Sequence, residues 1–546
     1  MLKARYDPAA AAGCASDAAA TTPLRRWLMP LGSPYPDITI PDLSVTEFVF
    51  GSVDPADAHR PAIIDSGSTI TFAELAEQVE YCAGALHRRG VRRGDVVALH
   101  CPNSTTFAVA FFAVLRLGAV VTTIGTLATA EDVAYQIRES GAAMLLTTSS
   151  IGWAGAVGAG QAGLSDENIV GLTGAHGLSA LVAERHSAPE VSISPEDVAV
   201  LPFSSGTTGR PKAVVLTHRN LVANVLQATV ALGDTFTREH PVATALPFFH
   251  IYGMSTMLIH MLYRRITQVT FASFDLTAFL YLIEKHRINF AFIAPPIAVA
   301  LAKHPMVDRF DLSSLEVVLS GAAPLQEELA AAVRDRLGCV MAQGFGMTES
   351  SPVTHARMDH SRPLESIGPA APNTEFRLVD VGVPGEPEIP LPTSGRSTPG
   401  ELQVRGPQVM RGYVNNPEAT AAAFVDGWLR TGDMAQVDAE GNLFIVDRIK
   451  ELIKYKGYQV PPAEIEALLL EHPDIQDAAC VGVRRGDGEE VPKAFVVRRS
   501  GATLTEQEVM AFVADRVAPY KKVREVEFCA SIPKSATGKI LRRLLR

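Results

Sequence analysis

Helical and strand patterns of apolar residues alternate along most of the chain. Thr71 and Glu74 have the spacing of a capping box, and they open an amphipathic segment that runs to about Arg89, where Gly90 ends it. The apolar run from Val96 to His100 then has the composition of a buried strand. Because such patterns continue to alternate, the sequence predicts an α/β fold.

The pattern changes near residues 447–450, which indicates a division between two domains. Upstream, the stretch 380–400 contains five prolines and four glycines, and we interpret it as a surface loop within the first domain. Downstream, a helical pattern covers residues 462–471, two strand patterns follow, and Thr505 and Glu508 form a further capping box. The second part of the chain is long enough to form a small domain of its own.

A chain of 546 residues is too long for a single hydrophobic core, so we predict three parts. Residues 1–35 are expected to form a disordered tail, because the segment is rich in alanine and lacks the apolar core of a signal peptide. Residues 36–448 are predicted to form a large α/β domain. Residues 449–546 are predicted to form a small, mobile α+β domain, with the active site between the two.

Composition and charge exclude several classes of protein. The net charge is −10, which gives no general attraction to nucleic acid or to acidic membranes. No apolar run approaches the ~20 residues that span a bilayer. The six cysteines have neither metal-binding nor paired spacing, which favours reduced thiols and a cytoplasmic protein.

A dense polar loop follows the apolar run Val198 to Phe203, which we predict to be the end of a strand. The loop reads Ser204-Ser205-Gly206-Thr207-Thr208-Gly209-Arg210-Pro211-Lys212. Glycines allow a tight turn that exposes backbone N–H groups, hydroxyls add donors, and the lysine adds charge, so the loop suits a polyphosphate. A solvated polar loop is the alternative. It is not a P-loop, because Arg210 and Pro211 separate the second glycine from the lysine.

Further motifs follow in order, and with the polar loop they resemble the adenylate-forming superfamily. These motifs are Ser320 to Pro324, Gly344 to Glu349, Thr431 to Asp433, and Pro533 to Lys539. The superfamily contains acyl-CoA synthetases, 4-coumarate–CoA ligases, firefly luciferase and the adenylation domains of peptide synthetases. The resemblance covers about residues 48–546 and is greatest to the 4-coumarate–CoA ligase branch.

The resemblance implies an enzyme that uses ATP, Mg²⁺ and coenzyme A. A carboxylate attacks the α-phosphate of ATP, pyrophosphate leaves, and the acyl-adenylate then forms a CoA thioester. Negative charge grows during the first step, so cations and hydrogen-bond donors are needed around the phosphates. The matching residues are expected to supply them.

The resemblance assigns each of these needs to residues of this chain. Thr348 would bond the α-phosphate, Glu349 would carry Mg²⁺, and Phe345 would stack on adenine. Asp433 and Arg448 would bind the ribose. The residues expected to contact nucleotide or coenzyme A are Ser204, Ser205, Gly206, Thr207, Thr208, Lys212, Gly321, Ala322, Ala323, Gly344, Phe345, Gly346, Asp433, Arg448, Lys454 and Gly457.

Two lysine-bearing loops are expected to exchange at the active site. In the family, the lysine that matches Lys539 bridges the carboxylate and the α-phosphate. The small domain then rotates at the position of Lys450. The rotation brings in the loop with Lys454 and Gly457, where Gly457 would line the path of pantetheine.

The segment Leu246 to Gly253 resembles the gate to the acid pocket, and His250 matches the residue at the carboxylate end. The alternative is that His250 is a buried core residue whose hydrogen bonds are satisfied within the protein. The residues expected around the acid are Phe249, His250, Thr256, Ala294, Gly321, Gly344, Pro352 and Val353. Because most of them are small or apolar, they indicate a bulky hydrophobic acid.

The chain departs from the family pattern at four places. Phe345 replaces a tyrosine and keeps a ring for stacking, and Ala322 replaces a frequent glycine. Ala213 replaces the glycine after the phosphate-loop lysine, and residues 124–126 replace a common Asn-Pro. None of these changes removes a catalytic group.

The preferred function is thus an acid–CoA ligase of the 4-coumarate type. The first alternative is an enzyme that only adenylates and passes the acyl group to a carrier protein or a partner enzyme. The second is a catalytically silent nucleotide-binding protein, which the retention of Glu349, Asp433 and Lys539 disfavours. Nothing in the sequence demands a luciferase-like oxygenase.

Overall fold

The computed structural model describes residues 31–51, 53–204, 210–233, 237–356, 358, 363–456, 458–485, 490–535 and 538–545. Residues 1–30 of the predicted disordered tail lie outside this set. Ser205, Gly206, Thr207, Thr208 and Gly457 also lie outside it. The described chain is mixed α/β, with a large N-terminal part and a smaller C-terminal part, which confirms the predicted fold class.

Three sheets form the large part. The first contains strands Leu31–Gly32, Glu375–Val379, Gly400–Arg405, Phe424–Val425, Trp428–Val437 and Leu443–Arg448. The second contains Val96–His100, Val120–Thr123, Met144–Thr147, Ile169–Gly171, Val198–Val200, Phe203–Ser204, Lys212–Thr217 and Gly412–Tyr413. The third contains Pro61–Ile64, Thr69–Thr71, Val242–Thr244, Gln268–Thr270, Phe290–Ile293, Val317–Ser320, Val340–Gly346 and Val353–Ala356.

Helices cover the mostly parallel second and third sheets. Those of the large part are Val45–Phe50, Phe72–Arg88, Thr105–Arg116, Ala130–Ser140, Gly152–Gln161, Leu178–Ala183, His218–Leu232, His260–Tyr263, Leu276–His286, Pro295–Lys303, Glu327–Leu337 and Pro417–Ala423. The predicted capping box at Thr71 is present, with each of its two hydrogen bonds formed. The central strands are buried on both faces, as parallel strands between helices require.

The small part has its own apolar core. It contains the hairpin Ile453–Tyr455 and Tyr458–Val460, the three-stranded sheet Ile475–Arg484, Glu490–Arg498 and Glu525–Phe528, and the helices Pro462–Glu471 and Glu506–Ala514. Buried side chains such as Ile465, Val496 and Val509 form a cluster separate from the large core. The predicted helix at 462–471 and the capping box at Thr505 are confirmed.

A buried ion cluster holds the C-terminal segment against the small part. The Arg542 guanidinium donates to Glu466 over 2.6 Å and to the Cys480 carbonyl over 3.2 Å, and it also pairs with Glu451. The side chains of Arg542 and Glu466 are each 10% exposed, and that of Glu451 is 14% exposed. Arg542 thereby connects the segment that carries Lys539 to the residue that follows Lys450.

Two of the residues that depart from the family pattern have packing roles. Ala213 is fully buried in a small cluster with Val120 and Leu201, so its methyl group fills space that a glycine would leave. Ile124 is fully buried beside Val133. The proline-rich stretch 380–400 connects two antiparallel strands of the first sheet, as predicted for a surface loop.

Among the described residues, no helix is long and apolar enough to cross a membrane. The cysteines in this part of the chain are free, and most of them are buried.

Candidate active site

A cavity of about 640 Å³ lies where the carboxyl ends of the large part's strands meet the C-terminal segment. It contains most of the described residues that the sequence predicts for the site. These are Ser204, Lys212, Phe249, His250, Thr256, Gly321, Ala322, Gly344, Phe345, Gly346, Thr348, Glu349, Pro352, Val353, Arg448, Lys450 and Lys539. Residues up to 335 positions apart in the chain therefore share one wall.

One side of the cavity begins at the hairpin that carries the polar loop. Ser204 ends one strand and pairs across the hairpin with Lys212, which begins the next strand. The polar loop joins these two residues, and its residues 205–209 lie outside the described set. The Lys212 ammonium is 5.3 Å from the centre of the Tyr413 ring, at a distance that gives a cation–π contact.

Glu349 sits in a buried turn of 3₁₀ helix, Thr348–Ser350, at the edge of the cavity. The Tyr413 hydroxyl donates a hydrogen bond of 2.9 Å to Glu349 Oε1. The described residues contain no group of three or more His, Cys, Asp and Glu side chains that could hold a metal ion. A lone carboxylate fits Mg²⁺ that arrives mainly on substrate phosphates, because such ions often use one or two protein carboxylates.

A second side of the cavity has a buried acid and base beside it. Asp433 is 4% exposed, and its Oδ1 lies 3.1 Å from Arg448 Nε across two paired strands. Its other oxygen, Oδ2, is buried without a hydrogen-bond partner among the described residues. Burial raises the pKa of Asp433, while Arg448 and then Lys539 act to lower it. An unsatisfied carboxylate oxygen beside a cavity is suited to accept hydrogen bonds from sugar hydroxyls.

Phe345 is the penultimate residue of the strand Val340–Gly346, and it lines the cavity. Its ring centre is 6.3 Å from that of the buried His355, at an interplanar angle of 60°, so His355 supports it from one side. Gly346 cannot carry a side chain, since a Cβ there would lie 2.0 Å from the Pro352 carbonyl oxygen.

Lys539 enters the cavity from the small part. Its neighbour Gly538 has φ +79°, and a Cβ there would lie 2.6 Å from Pro296 at the start of a helix of the large part. Nearby, Lys303 Nζ donates to the Leu470 carbonyl over 2.6 Å. These contacts seat the C-terminal segment directly on the large part.

The environment of Lys539 makes its charge sensitive to pH. Burial, and then the neighbouring Arg448 guanidinium, lower the pKa of Lys539 to about 8 against the opposing effect of three carboxylates. The ammonium form stabilises negative charge and the neutral amine does not. The pH dependence of kcat/KM reports the ionisation of groups in the free enzyme. The value of kcat/KM for ATP in pyrophosphate exchange is therefore expected to fall above pH ~8, where Lys539 loses its proton.

The measurement is a pyrophosphate-exchange profile from pH 6 to 10, with Lys539→Arg as the control. Arginine keeps its charge throughout this range, so the residual activity of the variant should lose the fall at high pH. A fall with the same midpoint in both proteins would assign it to another group.

The other end of the cavity is built by an unusual helix. Residues Tyr252–Ile259 form a π-helix, and within it Tyr252 and Thr256 both line the cavity. In the part of the chain that the structure describes, the hydroxyls of both residues are buried without hydrogen-bond partners. Gly321 lies opposite, and a Cβ there would approach the Tyr252 ring to 2.8 Å. Leu319, Pro352 and Val353 complete a mostly apolar wall.

His250 lies between the apolar end and Lys539. Burial, and then the charge of Lys539, lower its pKa to about 4, so the imidazole is neutral at pH 7. The Tyr252 backbone N–H donates to His250 Nδ1 over 3.3 Å, which leaves the proton on Nε2. His250 can therefore donate a hydrogen bond without adding a charge.

Four predicted residues are not on the cavity wall. Ala294 is 2% exposed and precedes the helix Pro295–Lys303 behind the wall. Ala323 follows the lining residue Ala322 but is outside the lining set, and Asp433 contacts the wall through Gly432 and Arg448. Lys454 is exposed in the hairpin of the small part, and its backbone N–H donates to Glu490. Gly457 and Ser205 to Thr208 lie outside the described residues.

The structure also identifies two residues that sequence reasoning missed. Tyr413 joins Glu349 to the phosphate hairpin, and Tyr252 shapes the apolar end. Tyr252 lies within the gate motif, two residues after His250, so the motif could have identified it as a site residue. Tyr413 follows Gly412 in a region without a recognised motif, and only the pairing of its short strand with Lys212–Thr217 reveals its position.

Comparisons with known proteins agree with this geometry. The model of the AMP-binding enzyme family matches residues 54–414, and that of the AMP-binding enzyme C-terminal domain matches residues 464–539. Among curated relatives, 4-coumarate–CoA ligase 2 of Oryza sativa subsp. japonica is 41% identical over 94% of each chain. 4-Coumarate–CoA ligase 4 of Arabidopsis thaliana is 39% identical over 94% of this chain and 93% of the relative.

Two solved structures resemble the whole molecule. ATP-bound MatB from Rhodopseudomonas palustris has a TM-score of 0.84 and 28% identity, and the match covers 93% of this chain and 98% of that one. The anthranilate CoA ligase AuaEII in complex with anthranoyl-AMP has a TM-score of 0.84 and 25% identity, over 93% and 97% of the two chains. The chain therefore belongs to the family of AMP-binding enzymes, and it is an ATP- and Mg²⁺-dependent acid–CoA ligase that works through an acyl-adenylate.

Proposed function

We propose that this ligase activates a bulky hydrophobic acid of the aryl-propenoic class and transfers it to coenzyme A. The observation that carries the proposal is the polarity of the cavity, whose two ends differ sharply. One end collects Lys212, Glu349 and Lys539, and the other is lined by small and apolar residues. The names of the curated relatives favour acids of the 4-coumarate class.

We assign the phosphate end to ATP. Lys212, the Ser204 hydroxyl and the predicted donors Thr207 and Thr208 would hold the phosphates. Thr348 would contact the α-phosphate. Mg²⁺ held by Glu349 and the phosphates would neutralise part of the charge that develops as pyrophosphate leaves. Phe345 would stack on adenine, and the free oxygen of Asp433 would accept from the ribose.

Lys539 and His250 are proposed to act on the reacting carboxylate. Both residues line the cavity, and the charge of Lys539 acts on His250. The Lys539 ammonium offsets the repulsion between the carboxylate and the phosphates, and His250 orients the carboxylate through Nε2–H. Because His250 is neutral, it does not compete with Lys539 for the negative charge.

Coenzyme A transfer requires a second arrangement of the small part. Here Lys539 lines the cavity while Lys454 is exposed, which is the arrangement expected for the adenylation step. Lys450 also lines the cavity and is exposed, as a hinge residue must be if its backbone is to rotate. Rotation there would exchange the two lysine loops and bring Gly457 to the pantetheine path.

A screen of acids by pyrophosphate release, with and without coenzyme A, tests this proposal. Aryl-propenoic acids should release pyrophosphate faster than short aliphatic acids, and CoA thioester should accumulate. Transfer to a carrier protein is the alternative for the second step. It would be indicated by adenylate formation without CoA thioester for every acid that is activated.

Gly321→Ala should narrow the preference of the enzyme among acids. The added methyl would lie 2.8–3.0 Å from the Tyr252 ring, so the ring must move toward the acid. Such a change in an apolar pocket alters discrimination by about 10–200-fold. A competition assay between a slim and a bulky acid measures it, and the variant should favour the slim acid.

Gly344→Ala is the matched comparison for this experiment. A Cβ at Gly344 meets its nearest neighbours at 3.4 and 3.6 Å, which are ordinary contact distances. We expect its shift in preference to be smaller than that of Gly321→Ala. Unchanged preference in the Gly321 variant would remove Gly321 and Tyr252 from the acid pocket.

A further inference from the structure

Tyr413 is placed where three groups of the phosphate end meet. Its hydroxyl donates to Glu349 Oε1 over 2.9 Å, and the Ser204 hydroxyl is hydrogen-bonded to the same phenol. The face of its ring receives the Lys212 ammonium at 5.3 Å from the ring centre. One side chain thus contacts a proposed metal ligand, a proposed phosphate donor and a proposed phosphate-binding cation.

The backbone holds this side chain in a fixed position. The strand Gly412–Tyr413 pairs with Lys212–Thr217, with Tyr413 opposite Val214. The Thr420 hydroxyl accepts a 2.9 Å hydrogen bond from the Tyr413 backbone N–H. Gly412 adopts φ +151°, and a Cβ there would lie 2.6 Å from Thr420, so the close approach depends on glycine. The phenol is therefore oriented before any ligand binds.

The hydrogen bond to Glu349 has a defined chemical consequence. Donation to Oε1 restrains the carboxylate and leaves Oε2 without this donor, in a residue that lines the cavity. The Glu349 backbone carbonyl also accepts from the Met410 N–H over 2.8 Å, so the turn that carries Glu349 is tied to the segment of Tyr413. A metal ligand held by such an outer hydrogen bond binds its ion more tightly than a free one.

We propose that Tyr413 is a positioning residue for Mg·ATP, which acts by orienting Glu349 and holding Lys212 beside the phosphates. The proposal rests on the function proposed above, because it takes Glu349 as the Mg²⁺ ligand. It adds a residue that touches neither the acid nor the nucleoside. Tyr413 would select for the metal-bound triphosphate and not for the nucleotide in general.

The test is binding of Mg·ATP and of adenosine to Tyr413→Phe, measured by calorimetry without acid substrate. Phenylalanine keeps the ring and removes only the hydroxyl. Loss of a hydrogen bond to a charged group is expected to weaken Mg·ATP binding by about tenfold or more. Adenosine affinity should stay within twofold, because adenosine carries neither phosphate nor metal.

Tyr135→Phe is the matched control. The Tyr135 hydroxyl donates to the Pro211 carbonyl over 2.9 Å, so this variant removes a phenol hydrogen bond from the same hairpin without touching Glu349. We expect Mg·ATP affinity to be unchanged in it. An equal loss in both tyrosine variants, or an equal loss for adenosine and Mg·ATP in Tyr413→Phe, would show a merely structural role and overturn the proposal.

A double-mutant cycle with Glu349→Gln tests the mechanism itself. If Tyr413 acts through Glu349, the two losses in Mg·ATP affinity should not add, and the double variant should resemble Glu349→Gln. Additive losses would overturn the proposal. If the wild-type protein bound no Mg·ATP, the proposed function would fail instead, so the two failures are distinguishable.

Discussion

Lys539→Ala is expected to lower the rate of acyl-adenylate formation by about 10²-fold or more, which is the scale of losing one electrostatic stabiliser. The lysine is held in the cavity by the contact of Gly538 with Pro296, beside Asp433 and His250. In the proposed mechanism, its charge offsets the repulsion between a carboxylate and the α-phosphate only while that bond forms. Pyrophosphate exchange measures this half-reaction directly.

The second half-reaction should survive the same substitution. When acyl-adenylate is supplied, CoA thioester formation by Lys539→Ala should stay close to that of the wild type, because the proposed rotation removes Lys539 from the site before thiol attack. Lys534→Ala is a suitable control, since Lys534 pairs with Asp477 within the small part over 2.6 Å. Equal losses in the two half-reactions would refute the exchange of lysine loops.

Arg542→Ala is expected to destabilise the small domain by about 3–5 kcal/mol, because it leaves the buried carboxylates of Glu466 and Glu451 without their counter-charge. Hydrogen exchange resolved by mass spectrometry can follow this domain alone. Amides in the helix Pro462–Glu471 and in the strand Ile475–Arg484 should exchange faster. Those in the strand Phe290–Ile293 should not change.

Arg543→Ala is the matched control for this effect. Arg543 is the next residue of the same 3₁₀ turn but is exposed, so its removal should leave exchange unchanged. If Arg542→Ala exchanged at wild-type rates throughout the small domain, the ion cluster would not be stabilising. Faster exchange in the large part as well would indicate global unfolding.

Local patterns in the sequence predicted the elements well where a short segment decides its own structure. The capping boxes at Thr71 and Thr505 and the helix Pro462–Glu471 agree closely with the fold. Hydrogen bonds between a cap and its first turn depend on residues only three positions apart. Such features need no knowledge of tertiary contacts. The residue boundaries of the two domains stay a prediction.

Site residues could be predicted from the sequence where they belong to motifs. They could not be predicted where tertiary packing determines their position. Gly344 to Glu349 and Lys539 were found from their motifs and share the cavity. Tyr413 was missed because its contact with Glu349 spans 64 residues and depends on strand pairing. Ala294 was expected at the wall, but its place at the end of a strand and start of a helix puts its methyl group in the core.

Ala322 stands where the family frequently has a glycine. The structure adds a conformational aspect, because Ala322 has φ +72°, in the left-handed region that favours glycine. A residue with a Cβ in that region costs about 1–2 kcal/mol. The motif therefore keeps its backbone turn although its residue type has changed.

A single-turnover experiment with an aryl-propenoic acid tests the central claim most directly. Enzyme, Mg·ATP and acid are mixed without coenzyme A, quenched and analysed by mass spectrometry, and coenzyme A is then added to a parallel sample. The account predicts enzyme-bound acyl-AMP and one pyrophosphate in the first sample, and conversion of that acyl-AMP to CoA thioester and AMP in the second. Acyl-AMP that persists after coenzyme A is added, or thioester that forms without any acyl-AMP, would contradict it.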